Sequence, residues 1–236
     1  MMPVKLCGMM TAQDIRLCAH LGARALGLVV DYPIPVPWNL TVRRAEALRC
    51  AIPENVCACM VTGGRPDDII ARAKQVRPNY VQLHHEETLE ETAYIAKALA
   101  SENIRVIKAL RAGRDGLLLF AVQDPAQAAH ALCQTGIAAL LVDSGTPEKP
   151  GGSGLAVCPE TYRAIAAASS LPVILAGGLT AHNLCAAIPH DLPPSAVDVL
   201  SGVETEPGRK DKDKVRAFLD AAASVPRRSG TLWNNP

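Results

Sequence analysis

The feature that most constrains this chain is an alternation. Short β-branched apolar runs, each followed by a longer amphipathic segment, succeed one another along the sequence. The runs are Val4–Gly8, Ala25–Val30, Val56–Val61, Tyr80–His84, Arg105–Leu110, Ala139–Asp143, Pro172–Gly177 and Ala196–Ser201. After them come Ala12–Gly22, Val42–Ile52, Pro66–Val76, Leu89–Ala100, Pro125–Gly136, Pro159–Ala168, Ala181–Ile188 and Asp211–Ala223, whose apolar residues recur at three- and four-residue steps and so share one helical face. Strands that are apolar on both faces call for a parallel sheet covered by helices. Eight such units close a barrel. An open doubly wound sheet is the rival, and it ordinarily shows a G-x-G-x-x-G turn after its first strand. Cys7-Gly8-Met9-Met10-Thr11 stands there instead. The expected fold is α/β, a single (β/α)8 TIM barrel over residues 1–225, with a polar tail at 226–236 that adds nothing to the core.

Boundary chemistry agrees with this reading. Thr11 and Thr180 are placed to cap the helices that follow them, and Gly22 and Gly136 stand where left-handed C-caps are needed. Two loops rich in Pro and Gly, Asp31–Pro37 and Ser144–Gly154, follow strands, on the side where barrels place their chemistry.

Composition excludes several function classes. The 24 basic and 23 acidic residues leave a net charge of +1, so no basic field invites nucleic acid or an anionic membrane. Aromatic residues are only 3%, too few for base-stacking platforms to be the main device. No apolar stretch approaches the roughly 18 residues a spanning helix needs, and no charged N-terminal segment leads into a long apolar run, so a soluble, cytoplasmic protein is expected. The cysteines at 7, 18, 50, 57, 59, 133, 158 and 185 are too diffuse for a disulfide framework. Cys57 and Cys59 share a strand face, but further metal ligands are not in evidence around them. Buried small hydrophobes in a reducing compartment account for every cysteine except Cys7.

Barrel catalysis draws on the C-terminal ends of strands. Those ends carry Cys7, Val30 with Asp31, Val61, His84, Lys108 or Arg111, Asp143, Gly177 with Gly178, and Ser201 with Gly202. The turns Ala176-Gly177-Gly178-Leu179 and Ser201-Gly202 follow the seventh and eighth strands, where backbone N–H groups commonly cradle a phosphate in this fold. Tight turns that simply need glycine would read the same way. Gly151-Gly152-Ser153-Gly154 suits a lid over the same ligand, or an ordinary flexible loop. Cys7 as a base and Asp143 as an acid could move protons on opposite sides of a sugar. A buried thiol and a strand-end aspartate bonded to backbone would give the same pattern.

Several segments match a known family. Lys5-Leu6-Cys7-Gly8 resembles the K-[IV]-C-G opening of phosphoribosylanthranilate isomerases, a tryptophan-pathway family. Gly22–Val29 resembles G-A-D-A-L-G-F-V, Val81–His84 matches V-Q-L-H, and Leu140–Asp143 is similar to L-L-L-D. Gly151–Gly154 follows G-G-x-G, and Pro172–Leu179 follows P-V-I-L-A-G-G-L. Val197–Glu204, with Pro207-Gly208 and Lys210-Asp211, resembles V-D-V-S-S-G-V-E…P-G-x-K-D. The matches run in order from Lys5 to about Leu219, and the last two blocks are the most specific.

The resemblance implies an Amadori rearrangement of N-(5-phosphoribosyl)anthranilate to 1-(2-carboxyphenylamino)-1-deoxyribulose 5-phosphate. It casts Asp143 as the acid that protonates the ribose ring oxygen as the ring opens, and Cys7 as the base that takes the C2 proton. Gly178, Ser201 and Gly202 fall at the family's phosphate turns, and Gln82, His84 and Asp198 at positions facing the substrate. No metal and no organic cofactor are implied. The partner is a small phosphorylated sugar amine, bound by a monomer or homodimer.

The departures concentrate at the aromatic end. The family usually has S-P-R-Y after strand two, whose arginine can hold the anthranilate carboxylate; here Tyr32-Pro33-Ile34-Pro35-Val36-Pro37-Trp38 puts proline or a neighbour in its place. Proline offers nothing like the bidentate fork of a guanidinium. Arg43 and Arg44 lie close by in sequence, on what reads as a solvated helix face. His85 replaces a glycine, Thr62-Gly63-Gly64 replaces an F-V-N-Q-like segment, Leu200 replaces the first serine of S-S-G, and Leu155 follows G-G-x-G where a lysine is common. A related isomerase acting on another phosphorylated sugar amine therefore stays open, as does a non-catalytic phosphosugar-binding barrel.

Overall fold

The computed structural model describes residues 1–113, 115–145, 157–228 and 232–233. Its strands, in chain order, are β1 (Val4–Leu6), β2 (Ala25–Val30), β3 (Asn39–Leu40), β4 (Cys57–Thr62), β5 (Tyr80–Leu83), β6 (Arg105–Ala112), β7 (Ala139–Ser144), β8 (Val173–Leu175), β9 (Ala196–Val199), β10 (Glu204–Glu206) and β11 (Arg209–Lys210). The helices are α1 (Ala12–Leu21), α2 (Val42–Arg49), α3 (Pro66–Val76), α4 (Leu89–Ala100), α5 (Pro125–Cys133), α6 (Pro159–Ala168), α7 (Leu184–Ala187) and α8 (Lys212–Ala223). Strands β1, β2 and β4 through β9 pair in parallel, and β1 bonds both β2 and β9, so the sheet closes on itself. This is the expected (β/α)8 barrel. β3 is a short flank on β2, and β10–β11 form a separate hairpin.

Local chemistry explains the element edges. Thr11 Oγ1 accepts from the Asp14 N–H and starts α1, and Gly22 ends it in the left-handed region. Thr88 and Glu91 form a reciprocal capping box at α4. Proline opens α3, α5 and α6, where its missing N–H has no helical partner to lose. Three expected edges move. Thr180 accepts from the Asn183 N–H at 3.2 Å, but the turn it caps is not yet α-helical, and α7 starts only at Leu184. Gly136 has a left-handed φ of 81° two residues beyond Gln134, the residue that caps α5. Ser201 leaves β9 for a 3-10 turn over Ser201–Val203.

Side chains alternate across each strand. One set packs outward under the helices, around residues such as Leu26, Leu28, Val81, Leu110 and Val142. The other fills the barrel: Ala25, Cys57, Cys59, Tyr80, Ile107, Ala109, Ala139, Leu141, Ile174 and Ala196. Cys57 and Cys59 do share the inward face.

The tail departs from expectation. Leu232 and Trp233 are buried, 5% and 4% exposed, among the small residues of the barrel floor. Ala25, Cys57, Ala139 and Ala196 are too small to fill that end alone, and close-packed interiors leave few voids. Polar composition hid two apolar residues that the floor has room for. The tail therefore does contribute to the core.

Candidate active site

At the opposite end of the barrel lies a cleft. The eight residues given catalytic, substrate or phosphate roles from sequence all line it: Cys7, Asp143, Gln82, His84, Asp198, Gly178, Ser201 and Gly202; the strand-end candidates Asp31, Lys108 and Arg111 do not. Those eight come from the ends of five strands, as the alternation of strand and loop dictates. The Gly151–Gly154 segment expected to act as a lid lies outside the described residues.

Cys7 follows β1, and its N–H continues the ladder to the Val199 carbonyl at 2.9 Å. Its thiol has room because β2 carries glycine at 27; a Cβ there would stand 2.6 Å from Sγ. Burial pushes the Cys7 thiol up, and Lys5 opposes that rise more than any other group, with Lys210 adding to it. Lys5 itself is fully buried two residues earlier on the same strand face. Its Nζ meets Asp198 Oδ2 at 2.7 Å. Burial works against the ammonium, but Asp198, then Cys7 and Cys59, more than offset it, and Lys5 is held charged above the usual lysine range. Asp198 Oδ1 is buried without a hydrogen-bond partner and belongs to a residue that lines the cleft.

A second chain of contacts leads to Asp143. Gln82 Nε2 lies 2.9 Å from His84 Nδ1, and His84 Nε2 lies 3.4 Å from Asp143 Oδ2. With the amide donating to Nδ1, the ring proton sits on Nε2 and points at the carboxylate. On its other side Asp143 approaches Gly177, where a Cβ would come within 3.1 Å of Oδ1. Gly177 and Gly178 both have positive φ, 84° and 57°, which only glycine adopts readily. A Cβ on Gly202 would stand 2.0 Å from the Leu179 carbonyl oxygen, so the two glycine turns pack directly on each other.

The second loop builds a wall. Tyr32, Val36 and Trp38 line the cleft with Val29, Val61 and Leu200. Tyr32 Oη donates to the His84 carbonyl at 2.8 Å, and its ring meets His85 edge-on at 5.9 Å between centroids. Trp38 Nε1 donates to Glu204 at 3.0 and 3.2 Å, and Lys210 Nζ binds Glu204 Oε1 at 2.7 Å. Arg43 and Arg44 are exposed on α2 and do not line the cleft, so neither stands in for the missing arginine. Sequence reasoning missed the Lys5–Asp198 pair and the Trp38–Glu204–Lys210 strap. The first had a signal: a lysine within an otherwise apolar strand, two residues from Cys7, must point inward with it.

The comparisons with known proteins agree over nearly the whole chain. The family model described as N-(5'phosphoribosyl)anthranilate (PRA) isomerase matches residues 4–221. The chain belongs to that family. A phosphoribosylanthranilate isomerase of Halobacterium salinarum is 36% identical over 228 residues, covering 94% of this chain and 96% of that protein. The crystal structure of the isomerase from Thermus thermophilus superposes with a TM-score of 0.75 at 30% identity, covering 94% of this chain and 99% of that one. Another family structure, in complex with reduced 1-(o-carboxyphenylamino)-1-deoxyribulose 5-phosphate, gives a TM-score of 0.70 at 30% identity, covering 95% and 100%. Members of the phosphoribosylanthranilate isomerase family thus share this barrel from end to end. Among the described residues no helix is long and apolar enough to cross a membrane, and no group of three or more His, Cys, Asp and Glu side chains is placed to hold a metal.

Proposed function

We propose that this chain catalyses the isomerisation of its family, the Amadori rearrangement of N-(5-phosphoribosyl)anthranilate in tryptophan biosynthesis. The observation that carries the reading is the meeting of Cys7, Asp143 and the two glycine turns in one cleft of a chain that belongs to the family. The phosphate sits on the turns at Gly178, Ser201 and Gly202. Asp143 donates a proton to the ring oxygen as the C1–O bond breaks and the anilino nitrogen lone pair forms C=N. His84, steadied by Gln82, orients the Asp143 carboxyl. Cys7 then takes the proton from C2, and the C2–H electrons form the C1=C2 double bond of the enamine. Loss of the C2 hydroxyl proton with protonation at C1 completes the aminoketose.

The thiol needs help to act as a base, since burial holds it neutral. Lys5 supplies part of that help. The rest comes from the iminium nitrogen formed in the first step, a positive charge that lowers the thiol pKa when the base is required. Asp198 Oδ1 accepts a hydrogen bond from a ribose hydroxyl and so fixes the sugar between acid and base. All of these groups belong to one chain, so a cytoplasmic monomer or homodimer serves equally, with no cofactor in the steps.

The direct test of substrate is to add anthranilate phosphoriboside and follow loss of its fluorescence. The reading expects saturable turnover. A well-folded protein that gives none at high concentration overturns it, and leaves the field to another phosphorylated sugar amine or to a binding role.

A further inference from the structure

We propose that Arg111 is the specificity-determining cation that receives the carboxylate of the substrate's aromatic ring, a reading that rests on the isomerase function given above. β6 sends Ile107 and Ala109 into the barrel, so the two-residue alternation sends Arg111 inward as well, one layer higher. Arg111 is in register with Asp143 on β7; the β5–β6 pairing ends at Leu83 and Lys108, so His84 follows at the level of Ala109, one layer below Arg111. Asp143 lines the cleft and Arg111 does not, so the guanidinium belongs to the layer behind the cleft wall, beside Asp143. Lys108, the other cation on this strand, is on the outward face and is already matched by Glu87 at 2.6 Å.

Arg111 is only 3% exposed, no described side chain pairs with it, and Nη1 is buried without a hydrogen-bond partner. A cation kept from water without a counter-ion is destabilising, and such groups occur where an anion completes them. The charged groups around it do not do so. Asp143 is held by His84 at 3.4 Å, and Glu87 by Lys108. The phenol of Tyr32 is raised by burial, and Arg111 is the strongest of the charges acting against that rise, which places the guanidinium near the second-loop wall.

The proposed substrate carries two anions. Its phosphate is taken by the turns after β8 and β9, so the ring carboxylate is the anion that remains. β6 stands two strands from β8 and three from β9 in the closed order, apart from those turns. The second loop offers only Tyr32, Val36 and Trp38 to the ring, which suits an aromatic face and leaves charge recognition to another element. A planar guanidinium matches a carboxylate with two parallel hydrogen bonds.

The test compares two ribosides, one made from anthranilate and one from aniline, which lacks the carboxylate, in wild type, Arg111→Gln and Arg111→Lys. Arg111→Gln is expected to raise KM for the anthranilate riboside about tenfold to a hundredfold, in line with loss of a charge-assisted pair. Its kcat/KM for the aniline riboside should stay within about twofold of wild type, and Arg111→Lys should recover part of the loss on anthranilate only. Equal losses on both ribosides would assign Arg111 to supporting Asp143 or the barrel, and would overturn the proposal. So would unchanged kinetics with anthranilate. If wild type turns over neither riboside, the isomerase reading itself fails and this proposal falls with it, an outcome distinct from the other two.

Discussion

Lys5→Met removes one half of a buried ion pair and leaves the other. The methionine side chain has nearly the length of lysine, so the perturbation is chiefly the charge. In the native protein the 2.7 Å contact with Asp198 is worth about 6 kcal/mol at an effective dielectric of about 20, before the desolvation of both ions is set against it. Taking away one partner strands the other, and the expected destabilisation is about 3–5 kcal/mol near neutral pH. Asp198 escapes part of this by taking a proton. Burial already lifts its carboxyl and Lys5 opposes the rise, so without Lys5 the folded-state pKa goes higher still. A carboxyl whose folded pKa exceeds its unfolded value favours the folded state at low pH and loses that contribution as pH rises through the folded pKa. The gap between variant and wild type should therefore be small near about pH 4 and widen toward about pH 8. Urea unfolding at several pH values reads this directly. Lys5→Met with Asp198→Leu should recover most of the stability, because no unpaired charge remains. Loss of Lys5 also removes the largest influence opposing the rise of the Cys7 thiol, so the ascending limb of the pH–rate profile should move to higher pH. A variant within about 0.5 kcal/mol of wild type at neutral pH, or a gap that does not change with pH, would refute the reasoning.

Gly202→Ala forces a methyl against the Leu179 carbonyl, so the two glycine turns must separate; if they hold the phosphate as proposed, KM should rise about tenfold or more with kcat changed less, and an unchanged KM in steady-state kinetics would exclude the turns from binding. Burial pushes the Cys18 and Cys59 thiols up to about 12. The unfolded chain ionises them first, so stability should fall as pH rises above about 9, by about 1.4 kcal/mol per pH unit for each thiol, and Cys59→Ala should remove one such contribution from a denaturation series. Trp233→Ala empties the barrel floor and should cost about 3–5 kcal/mol, seen as a lower Tm, while activity per folded molecule is retained; a Tm equal to wild type would show that the tail does not hold the floor.

What could be read from the sequence followed from period. Ala25–Val30 and Val173–Leu175 are apolar on both faces, and such strands required helices outside and a filled barrel within. Cys7, His84, Asp143 and Ser201 could be placed because a strand's end, unlike its interior, is where this fold keeps polar groups. Their roles came from a resemblance, since neither a thiol nor a carboxylate declares its partner. Pairings between distant segments were not legible. Nothing in the sequence around Lys5 names Asp198, 193 residues away, and nothing around Trp38 names Glu204. Closure of the barrel brings first and last strands together, and those contacts exist only once it has closed. Leu232-Trp233 was missed for a related reason: two apolar residues in a polar stretch have no period, and only the space under Ala25 and Ala196 gives them a place. Between Lys108 and Arg111, left open as strand-end candidates, alternation on β6 decides for Arg111 once the register of its neighbours is known.

Single-turnover fluorescence on Cys7→Ala and Asp143→Ala asks whether Cys7 and Asp143 act as base and acid. Each protein is mixed in excess with anthranilate phosphoriboside, and binding of a non-reactive phosphosugar is measured alongside. Isomerisation should fall by about three orders of magnitude or more in each variant while phosphosugar affinity stays within a few-fold of wild type. Wild-type rates in either variant would rule out an acid–base role for that residue.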